Sequence, residues 1–581
     1  MESEAKKAAQ AVAAALKRLA EERQTDAGDF PEPIPGLPPQ EELGDAAFPM
    51  FPYAKVFKTN PAEIAAAVAP LVQEISGCRT EAAGAYVNLF YNLPDLARMA
   101  AESAENPDFG KTDGGKGKRV MIEFSCPNTN KPLHLGHMRN DSLGESVSRI
   151  LKADGAEVLK VNLINDRGVH ICKSMLAYKE FGEGKTPEAA GVKSDRFVGD
   201  WYVRFEQWSK TDPSAMERVR KMLIDWESGD EEVRALWKKM NDWAVSGIKE
   251  TYRRTDVSFD RFYFESETYL QGKADILRGL EEGIFYKESD GSVWVDLAPI
   301  GLDKKVLLRA DGTSLYITQD LGTAVARHKD WPFDQMIYVV ASEQQYHFKV
   351  LFYVLEKLGY DWAKNLRHLS YGMVNLPEGR MKSREGTVVD ADDLLNELAQ
   401  MAKEEMKNKE KSAEVENIDE TAEKIALGAL NYFLLSKSPT KDMVFNPKES
   451  LSFNGETGPY LQYMATRITA ILSKFEERKE EFSGIGFVPE KLSSAQERRL
   501  IKSVLAYPDR VRKAAVEMDP SVLTEYLYDL AKTFSRFYHD YPVLNAEDKE
   551  TGVARLKLVK AVLEVMKKAF YLTGIPYLKK M

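Results

Sequence analysis

Val120-Met121-Ile122-Glu123-Phe124, followed by Ser125-Cys126-Pro127-Asn128-Thr129-Asn130-Lys131-Pro132-Leu133-His134-Leu135-Gly136-His137, is the stretch on which the fold reading rests. The first five residues form a short apolar, strand-like run. Proline and asparagine then interrupt any regular element and read as a turn. From about Gly136 the apolar residues take helical spacing, which ends at Gly155. Val158-Leu159-Lys160-Val161-Asn162-Leu163 is a second strand-like run. Strand, helix and strand at this spacing make a βαβ unit, so the expected core is a Rossmann-like parallel sheet with right-handed crossovers. Nucleotide chemistry belongs at the carboxyl ends of such strands, where the turn and both histidines fall.

Working outward, residues 190–260 contain five tryptophans, high charge and helical spacing, which predicts a helical insertion between two halves of the sheet. Tryptophan at helical spacing is read here as packing. Strand-like signals resume over Val293–Leu307, Gln335–Ala341 and Leu369–Val374 and are expected to complete the sheet. Beyond residue 400 the pattern is nearly all helical, opening with the charged stretch Lys403–Glu420, read as a solvated helix. Upstream, residues 1–24 read as a helix, and the prolines at 31, 33, 35, 38 and 39 exclude helix interior after it. A second helix runs from Asn60-Pro61 to about Ile75, and Gly84–Leu89 reads as a strand. The expected organisation is a small α+β N-terminal domain over 1–105 and a glycine- and lysine-rich linker over 106–118. A Rossmann-like catalytic domain over 119–420 then carries the insertion, and an all-α domain spans 421–581.

A chain of 581 residues exceeds what one hydrophobic core supports, which agrees with this division. No apolar run approaches the roughly 18 residues of a membrane helix, and the N-terminus lacks the apolar core of a secretory signal. Cys78, Cys126 and Cys172 lie far apart without partners at metal-ligand spacing, so neither a disulfide framework nor structural zinc is expected, and the compartment is expected to be reducing and cytoplasmic. A net charge of −10 argues against indiscriminate nucleic-acid binding, and DNA is not an expected partner. Screening over about 8 Å still lets local basic surfaces act alone. Residues 551–581 hold seven lysines and arginines against the single Glu564.

Two motifs carry the chemistry. His134-Leu135-Gly136-His137 sits at a strand-to-helix turn, where a glycine lets a nucleotide approach the backbone and imidazoles over a helix N-terminus can donate to phosphate oxygens. Gly379-Arg380-Met381-Lys382-Ser383-Arg384-Glu385-Gly386 is a glycine-bounded basic stretch after a predicted strand. Alone it reads as a solvated turn; paired with the first motif it is a source of positive charge for a triphosphate transition state.

The two boxes resemble the paired signature sequences of class I aminoacyl-tRNA synthetases. Glu123 to Asn128, with Lys131-Pro132 leading into His134, is similar to the arginine-specific branch. So are Phe51-Pro52 through Asn60-Pro61, Tyr316-Ile317-Thr318-Gln319-Asp320 and Gly458-Pro459-Tyr460-Leu461-Gln462-Tyr463, and the resemblance spans essentially the whole chain. It implies ATP, entering with Mg²⁺, L-arginine and tRNA(Arg) as partners, and a monomer. For catalysis it implies Lys131, His134, His137, Lys382 and Arg384. ATP is expected on His134, Gly136, His137, Gly372, Met373, Val374, Met381, Lys382 and Ser383. The guanidinium is expected on Glu123, Tyr316 and Asp320, and the α-amino end on Asn128 and Gln344. The N-terminal domain resembles one that touches the tRNA elbow, and Tyr460 and Met581 match positions at the anticodon loop. No protein-held metal site is implied.

The second box departs from the class pattern Lys-Met-Ser-Lys-Ser, since Arg380 holds the first lysine position and Ser383 the second. The resemblance assigns the lost charge to Lys131, with Lys382 and Arg384 as alternatives. This departure predicts that pyrophosphate exchange depends on cognate tRNA. A guanidinium offers five planar donors, so its site needs carboxylates and neutral acceptors together, and Tyr316 and Asp320, four apart on a helix, would share one face. Lysine would leave such acceptors unpaired, so no editing domain is needed. An adenylylating enzyme that does not use RNA and a catalytically inactive RNA-binding relative are the rival readings. The long helical C-terminal region disfavours the first, and the intact histidines disfavour the second.

Overall fold

Five parallel strands form the central sheet: β1 (Arg119–Glu123), β2 (Glu157–Ile164), β3 (Arg261–Phe264), β4 (Gln335–Ala341) and β5 (Leu366–Tyr371), in the order β5-β4-β1-β2-β3. The structure is a computed structural model that describes residues 2–25, 30–36, 38–40, 43–269, 272–312, 315–375, 377, 389–408 and 415–581. Val120, Met121 and Ile122 of β1 are all buried, as expected for a central parallel strand covered on both faces. After β3 the chain crosses to the far side of β1 to form β4, so the carboxyl ends of β1 and β4 flank the switch point where ligands bind in doubly wound folds.

Helix α1 (Leu135–Ala153) crosses from β1 to β2 and is buried along nearly its whole length. At Gly144 a Cβ would overlap the ring of Phe124, so glycine lets helix and strand approach closely. The helix is polar for one so deeply placed, and several of its side chains find partners: Ser142 Oγ donates to Asn431 Oδ1 (2.8 Å), and Glu145 accepts from Lys160 Nζ (2.9 Å) on β2.

Helices α2 (Val169–Phe181), α3 (Ser194–Trp208), α4 (Ala215–Ser228) and α5 (Glu231–Arg254) form the insertion. Trp226 is buried in its core, with Trp201, Trp208, Trp237 and Trp243 packed against it, so all five serve packing. The insertion lies between β2 and β3, inside the first half of the sheet and not between the halves as the sequence suggested. The reason is β3 itself: four residues, Arg-Phe-Tyr-Phe, are too short for a periodic signal. Val293–Leu307 also departs from expectation. Its strands form a separate antiparallel sheet in which Val293–Val295 lies between Tyr286–Lys287 and Lys305–Leu308, and this sheet shares a core with β4. Alternation alone does not say which sheet a strand joins. The third expected run divides, since Val374–Asn375 leaves β5 to pair with Met443–Val444.

Helix α6 (Tyr316–Asp330) precedes β4, α7 (Gln345–Lys357) follows it, and α8 (Ala391–Asn408) and α9 (Ile418–Leu435) open the helical C-terminal region. The chain divides into two compact units, one of 111–466, 511–527 and 568–581 and another of 1–110, 467–510 and 528–567. In the latter, helices Glu2–Glu22 and Pro61–Ser76 accompany a three-stranded antiparallel sheet of Ala46–Pro49, Tyr86–Phe90 and Arg79–Ala83. Asp45 is buried there, accepting from the Tyr91 backbone (2.7 Å) and pairing with Arg498 and Lys502. No helix among the described residues is long and apolar enough to cross a membrane.

Candidate active site

The first box is held by its own backbone. His134 is the N-cap of α1, where its Nδ1 accepts from the Gly136 N–H (3.1 Å), and His137 Nδ1 accepts in turn from the His134 N–H (3.1 Å). This is a capping box built from imidazoles, and the two ring centroids stand 3.9 Å apart. Burial, with the charge of Lys131 added, pushes the His134 ring down to about 3. Burial, His134 and Lys131 together hold His137 well below its ordinary range. Both rings are therefore neutral at physiological pH. Because each Nδ1 accepts a backbone proton, the ring proton of each sits on Nε2, leaving two Nε2–H donors at a helix N-terminus. That is the form needed to meet phosphate oxygens.

The turn before the box is strained. Ser125 (φ 72°) and Cys126 (φ 47°) adopt left-handed backbone immediately after β1 without being glycine. Buried amides hold them: Ser125 N–H donates to Asn140 Oδ1 (2.5 Å) and Cys126 N–H to Asn162 Oδ1 (3.2 Å). The Ser125 hydroxyl also lies 2.6 Å from the Tyr252 hydroxyl. This turn sets where Asn128 and Lys131 emerge.

At the carboxyl end of β1, Glu123 is buried and ion-paired with Arg327 of α6. Burial raises its carboxyl, Arg327 opposes that rise, and the charge of Asp320 adds to it, so the two carboxylates lie within electrostatic reach. Asp320 accepts from His347 Nε2 of α7 (2.6 Å). Tyr316, one helical turn earlier, is 75% exposed, and Asn128 and Gln344 are exposed as well. Of the residues expected at arginine, the structure brings Glu123 and Asp320 together, while Asn128, Tyr316 and Gln344 present open side chains around the sheet's carboxyl end.

Sequence reasoning missed Glu265. It follows β3 directly, and burial raises its carboxyl to about 7, with Arg167 opposing and Asp166 and Asp320 adding to the rise. Recognising Arg261-Phe262-Tyr263-Phe264 as a strand would have flagged it as an acid at a strand's carboxyl end. Arg327 and His347 were missed too, since each acts only through a partner distant in sequence.

A cavity of about 380 Å³ opens beside the first box, lined by Asn128, Lys131, His134, Arg196, Tyr202 and Asp390 among others. Burial lowers the Lys131 ammonium from its ordinary value. On the other side, Gly372 N–H donates to the Pro439 carbonyl (2.9 Å) and Met373 N–H to Asp442 Oδ1 (2.7 Å), which fixes the Gly372-Met373-Val374 segment. Met381, Lys382, Ser383 and Arg384 lie outside the described residues. Tyr460 is half-buried at the start of helix Gly458–Glu477, and Met581 is 6% exposed. Among the described residues no three His, Cys, Asp or Glu side chains converge as a metal-ligand group.

A parallel sheet in the order 3-2-1-4-5 with a His-Leu-Gly-His capping box at its switch point is the arrangement of a class I aminoacyl-tRNA synthetase. Residues 104–447 match the family described as "tRNA synthetases class I (R), catalytic domain", 461–581 the "DALR anticodon binding domain" and 6–91 the "Arginyl tRNA synthetase N terminal domain". The chain belongs to the arginyl-tRNA synthetase family. It is 58% identical to the arginine–tRNA ligase of Treponema denticola, covering 94% of each chain, and 52% identical to that of Treponema pallidum, covering 95% of this chain and 97% of the relative. In three dimensions it is similar to the arginyl-tRNA synthetase of Thermus thermophilus, with a TM-score of 0.80 at 26% identity over 99% of both chains.

Proposed function

We infer that this chain is an arginine–tRNA ligase that activates L-arginine with Mg·ATP and transfers it to the 3′ end of tRNA(Arg). The observation that carries this reading is the neutral histidine pair, with Nε2–H donors at the N-terminus of α1, set at the same end of the sheet as the Glu123, Glu265 and Asp320 carboxylates.

In the first step an arginine carboxylate oxygen attacks the α-phosphate in line, forming arginyl-adenylate and releasing pyrophosphate. His134 and His137 donate to phosphate oxygens without changing protonation state, and Lys131 adds positive charge beside them. No side chain has to remove a proton from a carboxylate that is already ionised, so catalysis is positioning and electrostatics. In the second step a hydroxyl of the terminal ribose attacks the activated carbonyl, the bond from the carbonyl carbon to the phosphate oxygen breaks and AMP leaves, the hydroxyl proton passing to a phosphate oxygen of the departing AMP. The adenine end of ATP is assigned to Gly372, Met373 and Val374, and Lys382, Arg384, Met381 and Ser383 to the triphosphate. The Asp320 carboxylate and Glu265 receive the guanidinium beside the Glu123–Arg327 pair. Tyr316 covers it, and Asn128 and Gln344 meet the α-amino group. We assign 1–105 to the tRNA elbow, 119–420 to catalysis and 421–581 to the anticodon, with Tyr460 and Met581 at its loop. The working state is a cytoplasmic monomer.

The test is charging of total tRNA with each amino acid in turn. Arginyl-tRNA as the sole product is expected, and any other product overturns the assignment. Because the second lysine of the second box is replaced by Ser383, pyrophosphate exchange should need tRNA(Arg); full exchange without it would contradict that account.

A further inference from the structure

We propose that Asp392, at the start of α8, is a positioning residue that locks the insertion to the first signature box and so fixes where Lys131 and His134 stand. The inference rests on the ligase reading above.

Backbone bonds stitch the segment before Asp392 to the box. Leu135 N–H donates to the Val389 carbonyl (3.2 Å), and Ala391 N–H donates to the Leu133 carbonyl (3.0 Å), an antiparallel bridge centred on His134 and Asp390. Val389 is the first described residue after the second box, three positions beyond Gly386 in the sequence. Asp390 Oδ1 accepts from the Asp392 N–H (2.8 Å) and the Asp393 N–H (3.2 Å), capping α8.

Asp392 then ties this junction to the insertion. Its Oδ2 accepts from Lys193 Nζ (2.7 Å) and the Thr251 hydroxyl (2.8 Å), and its Oδ1 from Arg254 Nη1 (2.9 Å). Arg254 Nη1 also donates to the Asp392 carbonyl (3.1 Å). One turn of α3 further on, Arg196 pairs with Asp393 (2.7 Å). Gly199 of α3 faces the box so closely that a Cβ there would stand 2.9 Å from Pro132 Cδ and 3.4 Å from Lys131 Cα. Helix α3 therefore touches the approach to His134 on one side and the α8 start on the other, and Asp392 is where Lys193, at the N-cap of α3, and Thr251 and Arg254 of α5 converge. Burial pushes the Asp392 carboxyl up, but Lys193, Arg254 and Thr251 bring it below its ordinary value, so it is ionised throughout the working range.

A purely structural ion pair would leave its cations stranded when cut. Here each has a second acceptor: Lys193 Nζ also lies 3.0 Å from Asp195, and Arg254 Nε lies 2.6 Å from Glu423. Asp392→Asn should thus retain the fold while loosening the lock.

The experiment is arginine-dependent pyrophosphate exchange with tRNA(Arg) present, run on full-length wild type, Asp392→Asn and Thr251→Val alongside thermal melts. Wild-type activity with arginine checks the ligase reading itself, so failure of that reading appears in the wild-type arm. We expect Asp392→Asn to lower kcat by about tenfold while the arginine KM stays within about twofold. Thr251→Val, losing the donor to Asp392 and the acceptor for Lys193 Nζ (2.6 Å), should move kcat the same way by about threefold. Combining Asp392→Asn with Lys131→Met should cost less than the product of the two single effects, because both act at one place. Unchanged kcat in both single variants, an arginine KM that rises in step with the kcat loss, or independent effects in the double variant would overturn the proposal. Should Asp392→Asn fail to fold, Thr251→Val decides it by the same criteria.

Discussion

The first signature box and the arginine-selecting rim grow from the same sheet and are built in opposite ways. At the box, both histidines commit Nδ1 to backbone N–H groups, burial keeps them neutral, and nothing must reorganise before a phosphate arrives. At the rim, Asn128, Tyr316 and Gln344 are exposed, and Asp320 is steadied by His347. The histidines that act on the transition state are preorganised by main chain, while three of the groups around the substrate, Asn128, Tyr316 and Gln344, are solvated side chains whose contacts form with it. Substitutions at the box should therefore fall on kcat, and those at the rim on KM.

The largest effect that would test this division is at the box. His137→Ala removes both a donor and the acceptor for the His134 N–H, and exchange kcat is expected to fall by about 10²- to 10³-fold with little change in arginine KM; a loss confined to KM would erase the contrast. Next, Asp320→Ala should raise arginine KM by at least about tenfold with kcat nearly intact, and an unchanged KM would remove Asp320 from the site. Third comes pH. The Glu265 carboxyl, at about 7 against an ordinary 4.5, is largely protonated below that pH and ionised above it. Arginine KM should then improve as pH rises from about 6 to 8, and Glu265→Gln should flatten that limb. The same shift gives a stability sign. The folded carboxyl binds its proton more tightly than the unfolded one, so stability declines as pH rises from 4.5 towards 7, and Glu265→Gln should melt higher than wild type at about pH 8. The smallest effect belongs to Gly199→Ala, whose Cβ at 2.9 Å from Pro132 Cδ forces one of the two to move. Exchange kcat should drop by about twofold, and a tenfold loss would mean that the box tolerates far less displacement than argued.

What could be read from sequence followed the length of each signal. The βαβ core, the box at its turn and the helical C-terminal region announce themselves through long periodic runs and through residues of special chemistry close together in the chain. Arginine selectivity needed the resemblance, because Glu123 and Asp320 meet only through folding. Glu265 escaped because β3 is four residues long, and the antiparallel sheet at Val293–Val295 and Lys305–Leu308 was assigned to the wrong partner strands because alternation carries no address. His347, Arg327 and Asp392 are ordinary surface-type residues until their partners, 27, 204 and up to 199 positions away, are known. The strained turn at Ser125 and Cys126 left no mark either, since neither residue is of the type that signals left-handed backbone.

Helix α1 has almost no solvent face, and Ser142, Glu145 and Ser146 tie it to α9, β2 and the last turn of the helix ending at Thr573. Such a helix cannot fray on its own: releasing its amides means parting the sheet and the helical region together. Its backbone protons should exchange with deuterated solvent only at the rate of global unfolding, while those at the start of α6, beside exposed Tyr316, exchange through local opening. The catalytic box would then persist, correctly shaped, until the last cooperative unit of the protein is lost.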